Sequence, residues 1–151
     1  MTFAQKLFGF HGRLRRRDYW LLSILVFVVA QVLEYGVSRV SGVALTDPRM
    51  LALSLVTLWP NLAIIAKRLH DRDRSGWLAV IAWLPTVSGA LAGQFLDPRL
   101  QIAEQVFAWA AIVWALVDLG ILDGTKGPNR YGASPKGRGV PTDAELDEVF
   151  A

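Results

Sequence analysis

Cysteine is absent from this chain, which excludes disulfides, thiolate nucleophiles and cysteine-held metals at once. Histidine is nearly absent too: two residues in 151, without the spacing of a zinc site. Charge is scarce. Charged residues make up 19% of the chain against 53% hydrophobic, and mean hydropathy is +0.35, a balance displaced from soluble domains toward membrane proteins. No GxxxxGK[ST] segment occurs, so nucleotide binding has no support and no cofactor is expected.

What the chain does have is long apolar runs: Tyr19 to Val40, Met50 to Ala66, Trp77 to Leu96 and Ile102 to Leu122. At about 1.5 Å per helical residue each can cross roughly 30 Å of hydrocarbon, the second with little to spare. The expected fold is an all-α membrane protein, four transmembrane helices in a small bundle. One domain then covers residues 1–136, and residues 137–151 form an acidic tail. The first run is too long for a signal-peptide core and three more follow it, so it reads as a retained helix.

The sixteen lysines and arginines sort by loop. Lys6, Arg13, Arg15, Arg16 and Arg17 precede the first run; Lys67, Arg68, Arg72 and Arg74 lie between the second and third; Lys126, Arg130, Lys136 and Arg138 follow the fourth. Only Arg39, Arg49 and Arg99 fall in the other two connections. Thirteen against three places both termini in the cytoplasm by the positive-inside rule. The same sorting explains the pI of about 9.6 by topology, and no nucleic-acid partner is expected. Tyr19, Trp20 and Trp77 stand at run ends, where amphipathic rings favour the headgroup layer; Trp59, Trp83, Trp109 and Trp114 lie deeper, with indole N–H groups needing partners.

Within the runs, Pro60 and Pro85 each remove a helix hydrogen bond and predict kinks. Asn61 can bond back to a freed carbonyl. Gly89 and Gly93, with Ser88 and Ala92, permit close helix approach, read as packing within the monomer ahead of a homo-oligomer seam. Glu34 is placed toward the outer interface, and Asp118 is expected to pair with Lys67 or Arg68. Asp47-Pro48-Arg49 and Asp97-Pro98-Arg99 recur fifty residues apart, read as turn and helix-start chemistry rather than as a duplicated hairpin.

Three polar segments converge on the cytoplasmic side. The first runs from Gly12 to Trp20, the second from Arg68 to Trp77, and the third, rich in glycine and proline, from Gly124 to Pro135. Together they resemble the bacterial inner-membrane family called domain of unknown function 805. Its members carry a GRxxRxxYW-type segment, a central RLHDxxRSGW loop and a GxxGxNxYGxxP tail. Here those positions are Gly12, Arg13, Arg16, Tyr19 and Trp20; then Arg68, Leu69, His70 and Asp71 with Arg74, Ser75, Gly76 and Trp77; then Gly124, Gly127, Asn129, Tyr131, Gly132 and Pro135. The resemblance covers about residues 3–136. One departure is Arg72-Asp73, where the family more often has small residues such as Thr-Gly. The family brings no established activity, so the resemblance implies class and not mechanism.

The candidate cap or anion-binding residues are therefore Arg13, Arg16, Arg68, His70, Asp71, Arg74, Ser75, Trp77, Asn129 and Tyr131. Arginines and glycine-exposed N–H groups beside headgroups suit phosphate. Bracing of the loops is the first reading, and binding of anionic lipid or a partner protein the next. A transporter or channel subunit would need polar residues facing one another at mid-depth, where Asn61 stands alone. An enzyme acting on lipid headgroups would need His70 beside Asp71, Asn129 or a metal. Adjacent residues of a helix or turn point different ways, so His70-Asp71 is no dyad by sequence. Phe3, Leu7, Phe8 and Phe10 predict a short helix lying on the membrane, with Lys6 toward headgroups. Thr142 to Glu145 reads as a capping box opening a short acidic helix that could dock on the basic face.

Overall fold

The structure is a computed structural model that describes residues 1–44, 49–82, 84 and 97–137. Helix α1, Phe3–Phe8, starts on a reciprocal cap: Gln5 N donates to Thr2 Oγ1 at 3.3 Å and Thr2 N to Gln5 Oε1 at 2.9 Å. Helix α2, Arg16–Ser41, runs 26 residues and ends where Gly42 takes a left-handed φ of 69°. Helix α3, Arg49–Asp71, contains Pro60 and continues past the expected end of its apolar run into the polar segment. Asn61 does bond back one turn. Its Nδ2 donates to Thr57 O at 2.8 Å rather than to the Val56 carbonyl that Pro60 deprives of a donor.

Residues 78–82 are helical again. Trp83, Pro85 and the Gly89/Gly93 pair of the third run lie outside the described residues, as do Asp47-Pro48 and the expected tail helix. Helix α4, Pro98–Ala115, opens as the Asp-Pro motif predicts: Asp97 Oδ1 accepts from Arg99 N at 2.9 Å and Pro98 takes the first turn. It passes into a π-helix over Leu116–Ile121, which the sequence did not predict. Among the described residues the only extended pairing is one isolated bridge, Asn129 with Gly132.

Two helices, Arg16–Ser41 and Arg99–Ile121, are long and apolar enough to cross a membrane. Their outward residues (Leu21, Phe27 and Val32; Ile102, Val106 and Trp109) stand exposed along the whole length. A water-soluble domain turns such faces inward, whereas lipid tails solvate them. The interior is inverted at one end. Arg68 and Lys67 are the largest fully buried side chains among those described.

Two apolar clusters hold the helices at that end. Leu7, Leu14, Leu22, Val26 and Ile64 join α1, α2 and α3; Ala66, Leu69, Ala79 and Leu119 join α3, the 78–82 segment and the π-helix. Tyr19 packs on both. The polar cap is built directly beneath them.

Candidate functional site

Asp71, the last residue of α3, is the centre of the cap and is buried. Oδ2 accepts from Arg68 Nη1 at 2.6 Å, one helical turn back, and Oδ1 from Arg13 Nε at 3.0 Å. Arg13 comes from the segment before α2. Its remaining donors reach the third segment: Thr125 O at 2.8 Å and Oγ1 at 3.2 Å, Gly127 O at 2.7 Å and Gly132 O at 3.2 Å. A buried guanidinium is tolerable only when its fork is filled, and here it is filled.

Arg68 ties the same carboxylate to the end of the last helix. Nε donates to Leu119 O at 2.7 Å and Nη2 to Leu122 O at 2.5 Å. Between those carbonyls, Gly120 O accepts from Trp20 Nε1 at 3.1 Å and Ile121 O from Arg16 Nη1 at 2.7 Å. Four successive carbonyls at a helix C-terminus are thus capped by three side chains from two other helices. Those groups have no intrahelical donor and carry the negative end of the dipole, so cations suit them. Gly120 is needed for the approach, since a Cβ there would lie 2.5 Å from the Trp20 ring.

The third segment straps over the end of α3. Thr125 N donates to Asp71 O at 2.8 Å, and Asn129 Nδ2 to His70 O at 2.9 Å and Thr125 Oγ1 at 3.0 Å. Asn129 Oδ1 accepts from Tyr131 N at 2.9 Å, which turns the Tyr131 ring onto His70. The two rings stack 3.8 Å apart and 9° from parallel. Gly127 and Gly132 adopt φ of 75° and 122°, conformations that require glycine. His70 and Asp71 therefore diverge, one onto Gly12 O and Tyr131, the other between two arginines.

The turn after α3 forms despite its unusual residues. Arg74 N donates to Leu69 O at 2.9 Å and Asp73 N to His70 O at 3.0 Å, the two bonds of a Schellman motif. Its left-handed position holds Asp73, φ 57°, rather than glycine. Asp118 sits on the π-helix and meets Arg72 at 3.2 Å and Arg74 at 3.3 Å. This corrects the expected pairing of Asp118 with Lys67 or Arg68. Successive helical residues point about 100° apart, and those two are committed to α1 and to the π-helix carbonyls. Arg72 Nε and Asp118 Oδ2 are buried and find no partner among the described residues. Ser75 Oγ accepts from Trp77 N at 3.4 Å, and Trp77 projects outward, 82% exposed.

The three segments that carried the family resemblance are the three that meet around Asp71. The profile of the family described as protein of unknown function, DUF805, matches residues 7–133. The chain belongs to that family. It is 39% identical over 144 residues to "Uncharacterized protein YiiR" of Escherichia coli K12, covering 87% of this chain and 89% of that one. It is 31% identical over 128 residues to "Inner membrane protein YhaI" of the same strain, covering 85% and 86%. It is 27% identical over 133 residues to "Inner membrane protein YhaH", covering 85% and 88%. No solved structure matches it. Apolar helices and these relatives together make it a membrane protein of unknown activity.

The DUF805 motif residues are thus brought together by the fold: Arg13, Arg68, Asp71 and Asn129 bond across the three segments, Arg16 reaches Ile121 O at the end of the last helix, and Tyr131 stacks on His70. Arg74 joins through Asp118, while Ser75 and Trp77 stay at the edge. Three contributors stand outside the candidate residues, although Gly124 is already a motif position and the sequence assigns Lys67 a different partner. Gly124 leaves room for the Asp71 carboxylate, Thr125 bonds both Asp71 and Arg13, and Lys67 anchors α1. Lys67 Nζ donates to Gln5 O at 3.1 Å and to Gly9 O, carbonyls at the end of α1, while burial pushes its pKa down to about 8. Lys6, expected to face headgroups, instead pairs with Asp18 at 2.6 Å. Trp59 finds its indole partner in Phe8 O at 3.1 Å and packs edge-on against Phe10.

Proposed function

We propose that this DUF805 chain is a four-span inner-membrane module with both termini cytoplasmic, whose cap presents a basic collar to anionic lipid headgroups. One observation carries the reading. Arg13 and Arg68 spend their donors inside the cap, whereas Arg15, Arg16 and Arg17 at the start of α2 have side chains 42%, 48% and 74% exposed. Arg15 and Arg17 share the single carboxylate of Asp18 with Lys6, leaving that cluster two positive charges in excess. A polar cleft of about 540 Å³ opens beside it, between Lys6 and Arg15 and the Gly132–Pro135 stretch of the third segment. Each basic residue near an anionic surface contributes about 1 kcal/mol, falling away with salt.

The test is lipid retention by the purified chain in mixed vesicles or detergent. The double variant Arg15→Gln/Arg17→Gln should lose about thirty-fold in preference for phosphatidylglycerol over phosphatidylcholine at low salt. Equal retention by variant and wild type would remove the collar from the account. Topology is tested apart from this. Because the chain has no cysteine, a single one introduced at Lys126 or Ala44 reports its own side of the membrane. Position 126 should be labelled only from the cytoplasm and position 44 only from the opposite face.

A further inference from the structure

A second cavity, about 540 Å³ and bordered by the His70–Tyr131 stack, is not used by the cap. Its walls are Trp59, Leu62 and Ala66 of α3 on one side and Ala79 and Val80 on the other. Along α3 they extend roughly 10 Å away from the cap, toward the membrane interior. Its volume is that of an ordinary small-ligand site. Its polar lining is at the cap end, where His70, Ser75 and Tyr131 border it.

His70 is held in one state there. Nδ1 lies 3.2 Å from Gly12 O, and a carbonyl can only accept, so Nδ1 carries the proton. Nε2 of the neutral ring is then a lone-pair acceptor, and it meets no hydrogen-bond partner among the described residues. Burial, with Lys67, His11 and Arg130 nearby, disfavours the second proton that would turn it into a donor. Gly76 keeps the edge of the ring accessible: a Cβ there would stand 2.8 Å from Nε2. The site therefore combines an acceptor at headgroup depth with an apolar slot running inward from it. That is the outline of an amphiphile.

We propose that this crevice binds one membrane lipid, its acyl chain between α3 and residues 78–82 and a headgroup N–H or O–H donor on His70 Nε2. The inference rests on the four-span placement proposed above but not on the basic collar. An ethanolamine headgroup supplies such a donor and a choline headgroup does not.

The experiment uses the full chain in phosphatidylcholine vesicles doped with phosphatidylethanolamine carrying a photoreactive acyl chain, with adducts mapped by mass spectrometry. Labelling of Trp59–Ala66 and Trp77–Val80 should saturate, and unlabelled phosphatidylethanolamine should compete at least tenfold better than phosphatidylcholine. Val80→Trp, at a half-exposed position, should cut crevice labelling about tenfold while leaving adducts around Val106 and Trp109 unchanged. His70→Phe keeps the ring stack and should abolish the headgroup preference. Labelling that rises linearly with probe and ignores Val80→Trp would mean bulk lipid contact only and overturn the proposal. So would equal competition by the choline lipid, or cross-links from the crevice to a second copy of the chain. Because the probe is zwitterionic, loss of phosphatidylglycerol retention with crevice labelling intact defeats the collar alone.

Discussion

The carboxylate of Asp71 occupies the space that a side chain on Gly124 would need. A Cβ built on Gly124 would overlap Oδ2 and come within 2.7 Å of Oδ1. The carboxylate cannot retreat, because Arg13 and Arg68 hold it from two sides. Gly124→Ala should therefore displace the ion cluster and cost about 1–3 kcal/mol, the usual range for overpacking. Asp71→Asn keeps the shape but leaves two buried guanidinium groups without their anion, and should cost more, about 3–5 kcal/mol. Thermal unfolding of the detergent-solubilised variants checks the order. A Gly124→Ala variant as stable as wild type would mean the strap has room to move.

Arg68 makes short bonds to Asp71, to Leu119 O and to Leu122 O, and a longer one to Leu14 O at 3.5 Å. Lysine carries the same charge but offers one point donor in place of a planar fork. Arg68→Lys should leave at least one π-helix carbonyl and part of the Asp71 carboxylate unpaired in a buried site, at about 1–3 kcal/mol for each buried group left unsatisfied. The expected outcome is a lower midpoint together with faster amide exchange over Leu119–Leu122. Exchange confined to wild-type rates would show that another donor takes over the helix end.

Much of this cap was legible from the sequence, and the part that was not has a physical reason. Charge sorting singled out the three segments, and the motif positions named the arginines that bridge them. Apolar runs foresaw α2 closely, 19–40 against Arg16–Ser41. They stopped α3 short, because Lys67, Arg68, His70 and Asp71 look like loop by composition although they complete its last turns. Hydropathy cannot see that a buried helix end is stabilised by ions from elsewhere. Nor does any local pattern announce the π-helix: its extra residue per turn is stabilised by Trp20, Arg16 and Arg68, all distant in the chain. The partner of Asp118 was misjudged for a related reason, since proximity along the span says little about direction around the helix.

Asp73 offers a substitution that should stabilise. It occupies the left-handed position of the turn after α3, where an L side chain costs roughly 1 kcal/mol, somewhat less for Asp than for Ala. Its side chain pairs with Arg130 at 3.1 Å, but both partners are well exposed, and such pairs contribute little. Asp73→Gly should therefore raise stability by about 0.5 kcal/mol, and Asp73→Ala lower it by a similar amount. Comparing the two midpoints isolates the backbone effect, because both variants lose the same ion pair. If Gly and Ala behave alike, the left-handed strain is not what governs this turn.

His70 should make the cap sensitive to acid. Burial holds its pKa below the usual 6.5 against the opposing bond to Gly12 O, and the nearby cations Lys67 and Arg130 act in the same direction as burial. Between the folded value and 6.5 the unfolded chain binds the extra proton, so stability rises with pH across that window. Lowering pH from 7.5 to 5 should thus depress the unfolding midpoint, the loss beginning near 6.5 and levelling off below the folded value. Asp18 does not confuse the reading. Burial alone would raise it, but Lys6, Arg15 and Arg17 hold it below the ordinary 3.8, so its contribution is lost only in stronger acid. His70→Phe preserves the stack on Tyr131 without the titration, and its midpoint should change less over the same range. Equal slopes for wild type and His70→Phe would assign the acid sensitivity to some other group.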